Sequence, residues 1–433
     1  MPIKTINFRS WEQVRGHLSA HIPTLFTSSQ TSTVIPYEFL DQSLTDRDII
    51  LGNLAQLPKK LRLQDDLLVV SGGVTWQDAL EFVHRHGRDL LSYPTEKLAC
   101  VTAGVATSAT GERSFSGGAL RNQIEKIIYL DFNGNENVLA QNALVLENPT
   151  VLSAYQKAYR FYKGFKNAPF PRMERAVDLM IGTEGQLGVV RDVFLRTQKT
   201  AAVKYFFLKI PSWRVDYRLH LEIFAKVQDF RGSIKCVEFA DGESLNAQED
   251  GIFIEVLQDE FEKLYENLFA KLSLGEESIF ELGRIPYQEM RAGIPRYVSH
   301  FNSLHKTKKL GTDAQVVVKH FQKLLDLYRV LGKQGIKNIL FGHFGDAHLH
   351  FNFLAKPEQT QQCQDLLEIF YKEIQGIGGS PFAEHGIGLL KQDFLKPFLS
   401  NIQIDMFIEL KKRHDPYNQF FPMGYLNIRD LKK

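Results

Sequence analysis

Three histidines, an aspartate and an asparagine stand among four phenylalanines in FGHFGDAHLHFNF, residues 341–353. Imidazoles and carboxylates bind divalent cations and move protons near neutral pH. At the two-residue period of a strand, His348, His350 and Asn352 face one way, and Leu349, Phe351 and Phe353 the other. The expectation is a strand with one face in a core and the other presenting imidazoles to a cleft. His343, Gly345 and Asp346 precede it in a glycine-containing turn that can fold His343 back toward the polar face.

A second concentration lies in SPFAEHGIGLLKQ, residues 380–392, where Glu384 and His385 are adjacent. Neighbouring side chains point apart, so one can bind a metal while the other faces a substrate. A carboxylate with two imidazoles satisfies a cation such as Zn²⁺ and leaves positions open. An exposed Glu–His pair is the competing reading. In EMRAGIPRYVSHFNSLHKTKKLGTD, residues 289–313, Arg291, Arg296, Lys306, Lys308 and Lys309 form a basic set. A guanidinium suits a planar carboxylate through two parallel hydrogen bonds. A solvated basic face explains the same residues.

Elements of two kinds must position these groups. DLLVVS (66–71) reads as a buried strand. After it, Trp76, Ala79, Leu80 and Val83 mark one face of a helix capped by Thr75 and ended by Gly87. KIIYLDFNGNENVLA (126–140) reads as two strands around an Asn-Gly turn, and LGVVRDVFLRT (187–197) as another strand. Beyond about residue 200, strands VKYFFLKI, IKCVEFA and GIFIEVL alternate with helical stretches, one ending near Phe230 and another in EFEKLYENLFAKL. DAQVVVKHFQKLLDLYRVLG (313–332) reads as a helix, IKNILF as a strand, and residues 359–376 as a helix with Cys363, Leu366, Leu367, Phe370 and Ile374 on one face. Two such sets predict an antiparallel sheet covered by helices on one side, a ferredoxin-like arrangement.

The length, 433 residues, calls for two or three domains. A hydrophobic share of 44% with 24% charged residues excludes a disordered or fibrous chain. The net charge of +2 gives no reason to expect nucleic acid. Cys100, Cys236 and Cys363 are too scattered for a disulfide framework, zinc ribbon or iron–sulfur cluster and read as reduced, buried thiols. No apolar leader or spanning run is visible, so a cytoplasmic protein without a transmembrane segment is expected. The usual dinucleotide and P-loop glycine signatures are missing. Glycines gather instead in TAGVATSATGERSFSGGALRN (102–122) and DLMIGTEGQLGVV (178–190), loops that let a backbone approach a ligand or simply turn between strands.

Taken in order, VTAGVATSATGERS…GGALRNQI, DLMIGTEGQLGVV, GHFGDAHLHFN, AEHGIG and DPYNQFFPMG resemble the FAD-linked oxidases of the vanillyl-alcohol-oxidase type. The branch is that of the D-lactate, glycolate and D-2-hydroxyglutarate dehydrogenases, and the resemblance spans roughly residues 65–425. It implies an α+β chain with a PCMH-type FAD-binding domain over 1–200, a ferredoxin-like substrate domain over 201–400 and a returning segment over 401–433. It places metal ligands at His343, His350 and Glu384, the base at His385, and substrate contacts at Arg291, Asn352 and Lys309. His348, where relatives often carry asparagine, stays as an auxiliary ligand or a supporting group.

The resemblance puts FAD, held without a covalent link, against Ser28, Ser29, Gln30, Thr31 and Ser32. That stretch, FTSSQTSTV, stands where the family has a glycine-rich loop, so close backbone approach to the diphosphate is expected to be harder. Thr102, Gly104, Thr107, Ser108 and Gly111 form its second loop, and Gly182, Glu184, Gly185, Gly188 and Val189 its third. FFPMG replaces the more usual N-P-G near the end. The implied chemistry is metal-assisted oxidation of a D-2-hydroxy acid with hydride transfer to flavin N5. The electron acceptor is left open among a quinone, a cytochrome, an electron-transfer flavoprotein and oxygen. The alternatives are a cofactor-impaired binding protein and a flavin oxidase of another alcohol.

Overall fold

The computed structural model describes residues 3–40, 49–267, 269–272 and 274–427. It divides into two compact units. The first comprises Met1–Gly111, Ala119–Thr200 and Glu384–Lys433, the second Glu112–Gly118 and Ala201–Ala383.

In the first unit a three-stranded parallel sheet has Ile50–Asn53 between Thr5–Asn7 and Thr24–Thr27. A six-stranded antiparallel sheet runs in the order Lys60–Gln64, Leu67–Ser71, Val189–Lys199, Ile124–Leu130, Glu136–Ala140, and Arg88–Leu90 also pairs with the long strand. The Asn-Gly turn joins the strands as expected, with Gly134 at φ +80°. Helix Trp76–Arg85 begins in a reciprocal cap: Thr75 Oγ1 accepts from Asp78 N–H, and the Asp78 carboxylate accepts from Thr75 N–H. Its buried residues are Trp76, Ala79, Leu80 and Val83, the stripe read from the sequence. At the end of the chain, Phe421 N–H donates to Thr24 O at 2.8 Å, and Phe421 and Met423 pack with Leu25 and Leu51.

The second unit is built on an eight-stranded antiparallel sheet. Its order is Ile279–Leu282, Val203–Ile210, Asp250–Leu257, Ile234–Ala240, Asn338–His343, His348–Ala355 and Lys308–Gly311, with Ala314–Gln315 also on His348–Ala355. The expected helix over 313–332 forms only from Phe321 to Gly332. Val316, Val317 and Val318 are β-branched and resist a helical χ1, and Gln315 exchanges backbone hydrogen bonds with Ser380 instead. Helices Phe321–Gly332 and Thr360–Gly376 cover the phenylalanine face of strand His348–Ala355. There the Tyr328 ring stacks 5.6 Å from Phe351 and 5.3 Å from Phe370. Every residue of that strand is buried, so its histidine face is not open to solvent as an amphipathic strand would be. Truncating Phe351→Ala should cost about 3–5 kcal/mol, read as a lower denaturant midpoint, because the stacked rings cannot collapse into the void.

Candidate active site

In the second unit two adjacent strands bring the three histidines together. His343 ends strand Asn338–His343 and lies opposite His348 in register, while His350 follows two residues on, facing the same way. Ring centroids are 5.4 Å apart for His343–His348, 5.6 Å for His343–His350 and 4.6 Å for His348–His350. One ring nitrogen from each lies within 4.8 Å of the others, a spacing that suits a single cation. Gly342 makes this possible: a Cβ there would sit 2.9 Å from the His350 ring, and its φ of +139° suits glycine.

Carboxylates flank the imidazoles. Glu238 Oε1 lies 3.0 Å from His343 Nδ1, and Asp313 Oδ1 lies 3.2 Å from His348 Nε2, with both acids buried. A carboxylate on the far nitrogen orients a metal-binding imidazole and raises its basicity. Burial works to raise the Glu238 carboxyl, but His343 and Arg291 outweigh it and hold it at about 2. Arg291 sits 2.9 Å from Glu112 and 3.4 Å from Glu238. Burial opposes its charge, and the two carboxylates raise its pKa well above the ordinary value. The guanidinium expected to receive a substrate thus already braces a carboxylate that holds His343. Asn352 donates to His350 O at 2.9 Å and reaches close over Gly311, while Lys309 pairs with Leu354 across neighbouring strands.

The first unit holds a cleft of about 1520 Å³ including its mouth. Segment 25–35, helix Val101–Thr107 with the following turn, the Glu184–Val190 turn and the Glu384–Gly388 turn all contribute to its wall. Of the residues expected to hold a cofactor, Ser28, Gln30, Thr31, Ser32, Thr102, Gly104, Thr107, Glu184, Gly185, Gly188 and Val189 line it. Ser29, Ser108, Gly111 and Gly182 are not among the lining residues: Ser29 Oγ contacts Cys100 Sγ at 3.3 Å, and Ser108 closes the helix in a left-handed conformation. Gln30 adopts φ +55°, so the loop keeps a glycine-like trace at a cost of about 1–2 kcal/mol.

The lining fits a flavin dinucleotide. Thr27, Ser28, Thr31 and Thr107 stand in a lining that also holds Ala99, Ala103, Gly104, Gly185 and Gly188, small residues that leave room for a flat ring. Gly185 lines that space, and a Cβ there would meet nothing nearer than Gly188 O at 3.9 Å. Tyr37 and Thr95 also line it, and nothing in their local sequence marked them, while Phe421 comes from the FFPMG stretch.

Glu384 and His385 belong to this unit and line the same cleft. Glu384 is buried and accepts from Lys166 Nζ at 3.3 Å, and His385 Nε2 lies 3.9 Å from Glu384 Oε1. Glu184 clamps the turn that carries them: its carboxylate accepts from Ile387 N–H at 2.5 Å and Gly388 N–H at 3.0 Å. Desolvation pushes Glu184 up to about 7, against those donors and Lys391. A folded-state pKa above the unfolded 4.5 favours the fold at low pH, and that contribution is lost as pH rises through about 7. Glu184→Gln should therefore gain stability relative to the parent between about pH 5 and about pH 8, by on the order of 3 kcal/mol, in paired denaturant titrations of the flavin-loaded proteins.

A hydroxyl-rich, glycine-turned cleft in one α/β unit, with a carboxylate-braced histidine cluster on the sheet of another, is the equipment of a cofactor-dependent enzyme. Residues 260–423 match the family model described as FAD linked oxidases, C-terminal domain. The chain is 24% identical over 387 residues to the D-2-hydroxyglutarate–pyruvate transhydrogenase of Saccharomyces cerevisiae, covering 82% of this chain and 72% of that protein. It is 26% identical over 399 residues to the D-2-hydroxyglutarate dehydrogenase of Xanthomonas citri, covering 83% and 75%. Against the mitochondrial cytochrome-type D-lactate dehydrogenase of Kluyveromyces lactis it is 21% identical over 401 residues and spans 64% of that protein's length. The fold is shared with alkyldihydroxyacetonephosphate synthase at a TM-score of 0.66 and 14% identity, covering 96% of this chain and 75% of that one. Residues 260–423 thus match the C-terminal domain of the FAD-linked oxidases, and over most of its length the chain is similar to proteins named as D-2-hydroxyglutarate and D-lactate dehydrogenases. Among the described residues no helix is long and apolar enough to cross a membrane.

Proposed function

We propose that the chain is an FAD- and metal-dependent dehydrogenase that oxidises a D-2-hydroxy acid of the lactate, glycolate or 2-hydroxyglutarate kind to the 2-oxo acid. The observation that carries this reading is the buried histidine trio with Glu238 on the Nδ1 of His343. In family terms the first unit is the PCMH-type FAD-binding domain and the second a ferredoxin-like substrate domain. His343, His350 and Glu384 hold the cation, best matched to Zn²⁺ by its two nitrogen donors and one carboxylate oxygen. His348, fixed by Asp313, supports the ligands from behind.

When bound, FAD would supply the acceptor for the C2 hydride and the cation would supply charge that eases loss of the substrate hydroxyl proton. His385 takes the hydroxyl proton on an imidazole nitrogen. Asn352 and Lys309 orient the substrate, while Arg291 supplies positive charge and keeps Glu238 against His343. A quinone, a cytochrome, an electron-transfer flavoprotein or oxygen would serve as the terminal electron acceptor. Anaerobic addition of D-lactate, glycolate or D-2-hydroxyglutarate to the yellow protein tests the assignment. One of them should bleach the flavin band, and its L-enantiomer, where it has one, should not. A flavin that stays oxidised with every member of the panel contradicts it.

A further inference from the structure

In the first unit, away from the flavin cleft, a concavity of about 780 Å³ is lined by Arg121, Arg172, Arg175 and Arg196, with Asn122, Gln141 and Asp178 between them. Four guanidiniums around one hollow repel each other, and such an arrangement persists only where anions offset it. The protein's own carboxylates do so in part. Asp178 Oδ1 accepts from Arg121 NH1 at 2.9 Å, and Asp178 Oδ2 accepts from the backbone N–H groups of Glu174 and Arg175, each at 2.9 Å. Glu174 accepts from Arg172 Nε at 3.0 Å and is shared with Lys163 at 3.2 Å. Arg196 pairs with Glu125. Among the described residues, the acceptor that Arg175 reaches is a neutral carbonyl, that of Gln141, at 3.2 Å. Five cationic groups, Lys163 included, therefore face three carboxylates, Asp178, Glu174 and Glu125.

Arg121 supplies the second observation. It is only 7% exposed, and although its NH2 also reaches Asn167 Oδ1 at 3.3 Å, its buried Nε–H has no hydrogen-bond acceptor. A buried guanidinium N–H without a partner is rare, and it marks Arg121, which lines the hollow, as a side chain whose hydrogen-bonding capacity the protein does not fill. The planar forks of Arg121 and Arg175, with the amides of Asn122 and Gln141, match the several oxygens of a tetrahedral oxyanion.

We propose that this concavity is a binding site for a small phosphate-bearing anion, inorganic phosphate or a soluble phosphate ester. The site is separate from the flavin cleft, with which it shares no lining residue. It draws on no part of the oxidation chemistry, so it stands or falls independently of the substrate assigned above.

Calorimetric titration of the FAD-loaded protein with inorganic phosphate, at constant ionic strength set by chloride, tests the proposal. Saturable binding is expected. Arg175→Gln, an exposed change that leaves the fold and the flavin band intact, should weaken it about tenfold or more through loss of one charge-assisted contact. Arg121→Lys keeps the charge but removes the Nε fork and should weaken it as well, with the flavin band confirming a folded protein. Vesicles of phosphatidylcholine with phosphatidic acid distinguish a lipid headgroup from a soluble ligand, and they should not sediment the protein. Heats indistinguishable from the chloride control, phosphate binding unchanged in Arg175→Gln, or vesicle capture that free phosphate does not relieve would each overturn the proposal.

Discussion

Replacing His343 with alanine should leave a yellow, folded protein that has lost its divalent cation and at least about a hundredfold of its turnover. The residue ends a strand and lies opposite His348, on the face turned away from the Phe351–Tyr328 stack. What it removes is one of three clustered imidazoles and the one held by Glu238. Loss of an outer partner alone typically costs 10–100-fold in metal affinity or activity, and loss of a ligand costs more. The change also strands Glu238, a buried carboxylate whose remaining counter-charge is Arg291. A modest fall in stability should accompany the loss of metal. Metal content by elemental analysis and flavin content by absorbance separate the two effects. A variant that keeps full activity would favour a flavin oxidase of another alcohol, in which the histidines are structural.

His385→Ala should behave differently. A positioned general base contributes about 10²–10⁴-fold, so the rate of flavin reduction by the hydroxy acid should fall by that factor. Metal content and the flavin spectrum should remain. The side chain is partly exposed on the cleft wall, next to Glu384 in the chain, so alanine leaves no buried void. Stopped-flow reduction of the bound flavin reads the step directly. Substrate affinity that collapses while the reduction rate holds would make His385 a binding contact instead of the proton acceptor.

The sequence exposed these groups to different degrees. His348, His350 and Asn352 could be placed on one strand face because a two-residue period leaves no other choice. Helix Trp76–Arg85 was equally legible, since a capping pair and a 3.6-residue stripe agree. The stretch after Asp313 misled because its apolar residues satisfy helical spacing, while three successive valines and the pairing of Ala314–Gln315 with His348–Ala355 hold it extended. Glu238, Glu112 and Asp313 were invisible as parts of a site. Each lies far along the chain from its partner, and only sheet pairing and the short segment Glu112–Gly118 bring them in. One clue was present for Glu238: it stands among the apolar residues of the strand IKCVEFA, and once that strand is buried its carboxylate needs a counter-charge.

The loop FTSSQTSTV shows the limit of reading by residue type. Serines and a glutamine where glycines were expected argued against close approach, yet Gln30 takes the left-handed conformation a glycine would have supplied. Side-chain hydroxyls at Ser28 and Thr31 then line the cleft alongside the backbone. FTSSQTSTV holds no histidine for a histidyl–flavin link, so the flavin should be bound without a covalent bond to this loop and be released on denaturation.

The most direct measurement is the anaerobic visible spectrum of the metal-replete, FAD-loaded protein before and after a D-2-hydroxy acid, repeated after chelation. The account predicts bleaching that depends on the cation and returns with Zn²⁺. Substrate bleaching that is indifferent to the chelator, or a protein that never retains FAD, would contradict it.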